Sequence, residues 1–338
     1  LEYSRFTYFE MRNDSLKSYL HLHFIVFVWG FTAVLGKLIT LDALPLVWFR
    51  MLLAVGFILI YIGINKTSLK VPKKTLIGFL LAGLIIALHW FTFFKAIKVS
   101  NISVTLACLS TGAFFASLME PIFYGRKIIW YEVLFGIIVF LGLYIIFNID
   151  GQFINGILLA LSSAFLSALF SMINGKYAKE YDSSIISFYE LLGGVLFFSI
   201  YLLYSGSFDS KFFEISNSDW FYLIILSTFC TAYAFIASVK VMKFLSPYTV
   251  MLTINLEPIY GIILAVLVFK EKEKMSFEFY IGTFIILLTV ILNSVIKSLE
   301  LKSITNSKEI HIKFNVKKFY GAHIFNGCAR ILNNINEG

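Results

Sequence analysis

The chain has 338 residues, of which 59% are hydrophobic and only 14% charged, and its mean hydropathy is +0.84. Soluble domains carry about 25% charged residues, and a chain of this length cannot cover so much apolar surface in water, which excludes a soluble enzyme and points to a bilayer as solvent. The net charge of +8 does not indicate nucleic acid: Lys and Arg sit between apolar runs and form no basic domain, which suits topology determinants and headgroup contacts.

A spanning helix needs about 20 mostly apolar residues. Residues 1–18 are mixed and polar, read as a cytoplasmic segment and not as a cleaved signal. Apolar runs then follow at 19–40, 43–63, 75–98, 102–124, 130–148, 153–176, 184–206, 219–243, 246–269 and 276–298. They predict an all-α membrane protein with ten transmembrane helices. Many of the 37 Phe lie near the ends of these runs, as lipid-facing and interfacial positions require. The longest connections, 64–74 and 207–218, have no room for a soluble catalytic domain, and the basic tail 299–338 is expected at the membrane surface. Cys108, Cys230 and Cys328 form no CxxC pair, so neither a disulfide framework nor a metal site is expected, and no cofactor is either. With the N-terminus cytoplasmic, 20 of the 28 Lys and Arg fall on the inside and 7 on the outside, with Arg50 inside a span. The positive-inside rule therefore places both termini in the cytoplasm.

The chain resembles itself. Phe31-Thr-Ala-Val-Leu-Gly-Lys37 is similar to Phe170-Ser-Met-Ile-Asn-Gly-Lys176, and Phe49-Arg-Met-Leu-Leu53 to Phe188-Tyr-Glu-Leu-Leu192, both at an offset of 139. Lys95-Ala-Ile-Lys98 is similar to Lys240-Val-Met-Lys243 at an offset of 145. These blocks divide the chain into a first repeat, 19–148, and a second, 153–298, each of five spans. An odd number of spans makes the second repeat enter the membrane from the opposite face. Inverted repeats of this kind are a recurrent plan of secondary transporters, with the substrate near the midplane between them.

Several residues carry a family resemblance over 19–298: Trp29-Gly30, Trp48-Phe49-Arg50, Phe188-Tyr-Glu-Leu-Leu-Gly-Gly194, and above all Asn255-Leu-Glu-Pro258 followed by Ile259-Tyr-Gly and Phe269-Lys-Glu271. They resemble the EamA-type permeases of the drug/metabolite transporter superfamily, whose ninth helix carries Leu-x-Pro and ends on Glu. The first repeat departs from the pattern, with Ala113 where the second has Pro258 and Arg126 where it has Glu271. The resemblance implies export or exchange of a small metabolite such as an amino acid, amine or drug-like solute, in a bacterial cytoplasmic membrane.

Ionisable groups inside spans are costly and are functional candidates. Glu257 lies midway along its span beside Asn255 and Pro258, and the proline frees a backbone carbonyl near Ile254. Carboxylate and carbonyl together suit an amine or cation, and a carboxylate that changes protonation would couple transport to protons. Arg50 suits a substrate carboxylate in a two-pronged grip, a bridge between helices, or the headgroups. His89 suits a proton relay. Trp29, Trp90 and Tyr260 suit an aromatic site for amines or rings. Glu190 and Glu120, nearer the cytoplasmic ends, suit substrate contact or pairing with Lys176 or Arg126. Leu192-Gly-Gly194 and Ser162-Ser-Ala164 read as close helix contacts. Patterns for phosphate loops, nucleophile elbows and HExxH zinc sites do not occur. The competing readings are an intramembrane enzyme acting on a lipid-linked substrate through Glu120, Glu190 and Lys176, a channel, and a non-transporting membrane partner. A homodimer is compatible with all of them.

Overall fold

The computed structural model describes residues 2–125, 127, 129–149 and 153–289, with isolated positions up to 299, and side chains from Leu16 onward. The chain divides into two compact units, Leu1–Ile291 and Leu292–Gly338. The second unit and the predicted tail fall almost wholly outside the described residues, as do Arg126 and Cys328.

Among the described residues all regular structure is helical. The first half contains α1 (Glu2–Leu38), α2 (Ala43–Ile64), α3 (Lys73–Val99), α4 (Ile102–Leu109), α5 (Gly112–Tyr124) and α6 (Trp130–Ile149). The second contains α7 (Ile154–Tyr177), α8 (Ser183–Tyr204), α9 (Asn217–Ser227), α10 (Ala234–Val241), α11 (Pro247–Ile254), α12 (Glu257–Phe269) and α13 (Phe277–Thr289). Eight spans among the described residues are long and apolar enough to cross a membrane; α4–α5, α9–α10 and α11–α12 each make one of them. The other two runs read from the sequence, 130–148 and 276–298, are helical as α6 and, as far as Thr289, as α13.

Local sequence sets the helix starts. Asn101 Oδ1 accepts from the Val104 amide at 2.8 Å, Asp182 Oδ1 from Ser184 at 2.8 Å, and Ser246 Oγ from Thr249 at 3.1 Å. Each cap satisfies an amide that the first helical turn leaves without a partner.

Three spans are interrupted. Pro258 stops α11 at Ile254, because a proline cannot donate to the carbonyl one turn back. The corresponding break between Leu109 and Gly112 has no proline. There the hydroxyls of Ser110 and Thr111 donate to the Ala107 and Cys108 carbonyls at 2.5 and 2.7 Å, competing with the helix for its own acceptors. The bounds of α4 and α5 recur in α11 and α12 at a constant offset of 145. In the third, a π-helical turn at Thr228–Tyr233 joins α9 to α10, a feature that often marks a functional position.

Lipid provides no hydrophobic drive between helices, so contact comes from small residues and hydrogen bonds. A Cβ on Gly83 of α3 would lie 2.0 Å from the Glu190 carbonyl oxygen of α8, and one on Gly193 would lie 2.6 Å from the Leu80 oxygen. These two helices thus meet backbone to backbone. Large apolar side chains such as Ile60, Ile122, Tyr204 and Phe277 stay exposed, as a lipid-facing surface demands.

Polar contacts tie one end of the bundle together. Asp219 accepts from the Thr40 amide at 2.8 Å and its hydroxyl at 2.6 Å, and Lys98 donates to the Ile39 carbonyl. Buried Glu273 accepts from the amides of Ile102 and Ser103 at 3.2 and 3.1 Å. At the opposite end, Tyr124 donates to the Met172 carbonyl and Tyr189 to that of Leu69.

Candidate substrate site

A cavity of about 60 Å³ lies where the interrupted helices meet. Leu109, the last residue of α4, Ile254, the last of α11, and Glu257, the first of α12, all line it. Trp29, Arg50, His89 and Trp90 reach it from α1, α2 and α3, and Ser167, Phe170, Ser171, Phe235 and Ser238 from α7 and α10. Its volume is well below the roughly 300–1,000 Å³ of pockets that enclose organic ligands, so in this conformation the cavity is narrow.

Arg50 is 1% exposed, which removes the headgroup role considered for it. Its Nε donates to Thr231 Oγ1 at 2.6 Å, its Nη2 approaches the Cys230 carbonyl at 3.4 Å, and its guanidinium lies 4.0 Å from the Trp90 ring centre. The π turn supplies both oxygens. The Cys230 carbonyl also accepts from Trp29 Nε1 at 3.2 Å. Arg50 Nη1 has no partner. A guanidinium is thus held by one edge and one face, with a donor left over.

Glu257 faces the same cavity, 7% exposed, at the first turn of α12, where the helix dipole favours an anion. Its charge and that of Arg50 attract one another, yet no direct ion pair joins them among the described residues. The pair leaves a guanidinium donor and a carboxyl group on one small space without direct contact.

His89 is committed: its Nδ1 lies 2.8 Å from Ser163 Oγ and 2.9 Å from the Ser163 carbonyl, while the Ser163 hydroxyl reaches back to the His89 carbonyl. That contact holds α3 to α7. Asn255 and Tyr260 do not line the cavity. Asn255 is buried next to the α11–α12 break, and Tyr260 packs on Gly30 and edge-on to Phe27. Glu190 does not line it either. Its partner is Asn174 and not Lys176, which lies over the rings of Phe123 and Tyr124 at 5.2 and 5.8 Å. Glu120 lines a separate vestibule of about 310 Å³ with Tyr124, Lys179, Lys243 and Met242. Met242 also lines the central cavity and so separates the two spaces. A pocket of about 380 Å³ at the other end, beside Asp42, Lys95 and Lys211, shares no lining residue with the cavity.

The sequence reading missed Thr231, the π-turn carbonyl of Cys230, and the hydroxyls of Ser167 and Ser171. The available signal was the four-residue spacing of Ser163, Ser167 and Ser171, which puts three hydroxyls on one face of an apolar helix.

The pattern that defines the EamA-like transporter family matches this chain twice, over residues 16–148 and 154–295. The chain belongs to the EamA-like transporter family. It is an integral membrane transporter, and the family reading from Asn255-Leu-Glu-Pro258 is correct. An uncharacterized transporter of Archaeoglobus fulgidus is 26% identical over 204 residues, covering 60% of this chain and 69% of that protein. A solved crystal structure superposes with a TM-score of 0.63 at 13% identity, over 83% of this chain and 98% of that one, and so shares the fold. Family and relative point to a transporter in preference to the intramembrane enzyme also considered, with a small molecule as its ligand.

Proposed function

We propose that this EamA-family transporter moves a small organic zwitterion, an amino acid or a closely related amine-bearing acid, by alternating access, and that it works as an exporter in a bacterial cytoplasmic membrane. The observation that carries the substrate class is the pairing of Arg50 and Glu257 across one cavity without direct contact. A free Nη1 donor suits a carboxylate, and the Glu257 carboxyl group on the cavity wall suits an ammonium. Trp29 and Trp90 add aromatic faces to the same wall.

Alternating access draws support from three features. The cavity is lined by both matched regions, with Arg50 in the first and Glu257 in the second. Matched helices run in opposite senses: α1 finishes at the end tied by Thr40 and Asp219, whereas α7 finishes at the end tied by Tyr124. This favours ten spans arranged as two inverted repeats. Finally, the cavity shares Met242 with the vestibule of Lys179 and Lys243, while the opposite end is latched by Asp219 and Glu273. The distribution of Lys and Arg supports a cytoplasmic vestibule, and with it an inward-facing reading of this conformation.

The test is uptake by inside-out proteoliposomes of a labelled amino-acid pool, followed by competition with single amino acids, with amines lacking a carboxylate and with acids lacking an amine. Saturable uptake inhibited best by whole zwitterions is expected. Equal inhibition by the two single-headed classes would refute two-point recognition.

A further inference from the structure

A second polar site lies outside the cavity, between α7 and α8. Asn174, Ser187 and Glu190 are each fully buried. Asn174 Nδ2 donates to Glu190 Oε2 at 3.1 Å. Three oxygens there have no hydrogen-bond partner: Asn174 Oδ1, Glu190 Oε1 and Ser187 Oγ, the last one turn before Glu190 on the same helix.

Among the described residues no cation is paired with Glu190. On α7, Lys176 lies over Phe123 and Tyr124, and the titratable group that feels the carboxylate is the Tyr177 hydroxyl. On α2, Arg50 bonds Thr231 and Cys230 and faces the central cavity. On α3, His89 is bonded to Ser163, Lys98 reaches Ile39, and Lys73 and Lys74 are exposed; on α10, Lys240 is exposed. An ionised carboxylate sealed between helices with one neutral donor and no counter-charge carries a large desolvation cost. Two buried acceptors without partners, on side chains already joined by one hydrogen bond, are likewise unfavourable.

One proton resolves both problems. Placed on Glu190 Oε1, it turns that oxygen into a donor for Asn174 Oδ1. The carboxyl and the amide then share two parallel hydrogen bonds, Nδ2–H to Oε2 and Oε1–H to Oδ1. We propose that the Glu190–Asn174 pair is an occluded proton-binding site, distinct from the substrate cavity, through which the transporter is coupled to protons. The proton arrives from water and returns to water, and no other bond changes. With the proton bound, the pair fastens α7 to α8. With it released, the anion needs water, and α7 must part from α8 at Asn174. Ser171, one turn away on α7, lines the cavity, so this movement reshapes the substrate wall. The coupling, though not the proton site itself, rests on the transporter reading above.

The Glu190→Gln substitution is well suited to the test, because glutamine keeps both hydrogen bonds with Asn174 and carries no exchangeable charge. Infrared difference spectra of the purified full-length protein, recorded between acid and alkaline buffer, should show the carbonyl stretch of a protonated carboxylic acid. The share of that band due to Glu190 should be missing from the spectrum of Glu190→Gln and present in that of Glu257→Gln. A spectrum of Glu190→Gln identical to that of the parent protein overturns the site. In proteoliposomes, Glu190→Gln should lose pH-gradient-driven uptake of the labelled amino-acid pool and keep gradient-independent exchange, with an unchanged or raised melting temperature. Parallel loss of both fluxes, or of neither, overturns the coupling. An absence of all uptake by the parent protein would count against the transporter reading alone, and the infrared result would still decide the proton site.

Discussion

Replacing Arg50 by methionine separates binding from folding more cleanly than any other change in the cavity. Methionine keeps an unbranched apolar stem, ends two atoms short of the guanidinium nitrogens and removes the charge. The partners left behind are not orphaned: Thr231 Oγ1 still donates to the Leu226 carbonyl at 2.7 Å, and the Cys230 carbonyl still accepts from Trp29. The protein loses a stacked cation worth about 2 kcal/mol when desolvated. It also escapes the cost of burying that cation, which is several kcal/mol in typical proteins. The relief of burying the cation and the loss of its attraction to Glu257 oppose one another, so the melting temperature in detergent should stay close to that of the parent. Binding should not hold. Nη1 alone, the donor with no partner in the protein, would form one charge-assisted bond to a substrate carboxylate, worth about 1.5–3 kcal/mol. That corresponds to roughly a 10- to 150-fold weaker apparent affinity. Arg50→Lys restores the charge without the flat donor edge and should fall between the two. The assay is concentration-dependent uptake in proteoliposomes, alongside thermal unfolding of the same preparations. An unchanged affinity in Arg50→Met, or a loss explained by a collapsed melting temperature, refutes the reasoning.

Other changes test the remaining contacts. Glu257→Gln should weaken amine-bearing solutes by about 10- to 100-fold and leave inhibition by acids without an amine unchanged, measured by competition. Combining it with Arg50→Met should cost less than the sum of the single effects, since the two groups share one ligand. Glu273→Ala and Asp219→Ala remove the acceptors of the Ile102, Ser103 and Thr40 amides. Hydrogen exchange at those amides should accelerate, and unaltered exchange would show that these contacts are not latches. Gly83→Ala puts a methyl group 2.0 Å from a backbone oxygen of α8. Neither helix can yield there by turning a side chain, so the variant should express poorly and unfold at lower temperature, while Gly56→Ala, with open space around it, should match the parent.

The spans were legible because apolar length is set by bilayer thickness and little else. The break at Ile254 was legible because proline has no amide hydrogen. Its counterpart at Leu109 was not, because Ser110 and Thr111 sit inside regular helices as often as they interrupt them, and only their bonds to Ala107 and Cys108 show which applies. No residue type announces a π turn, so the oxygens that seat Arg50 were invisible. Arg50 and Glu257 stood out singly as charges within apolar runs. Their meeting in one cavity depends on the packing of α2 against α9–α10 and of α12 against α1 and α4, which periodicity does not encode. Glu190 stood out for the same reason as Glu257, and only the orphaned oxygens around it separate a second site from a share in the first.

The two helix breaks are alike in position and unlike in kind. Pro258 makes the second one permanent. The first is held open by two hydroxyls, and if Ser110 and Thr111 turn away, the backbone of α4 and α5 can close into an unbroken helix. Each backbone bond regained there is worth about 0.5–1.5 kcal/mol, enough in sum to shift a two-state balance by roughly tenfold. On the alternating-access reading proposed above, the contrast between Pro258 and Ala113 predicts unequal occupancy of the two sides of the membrane.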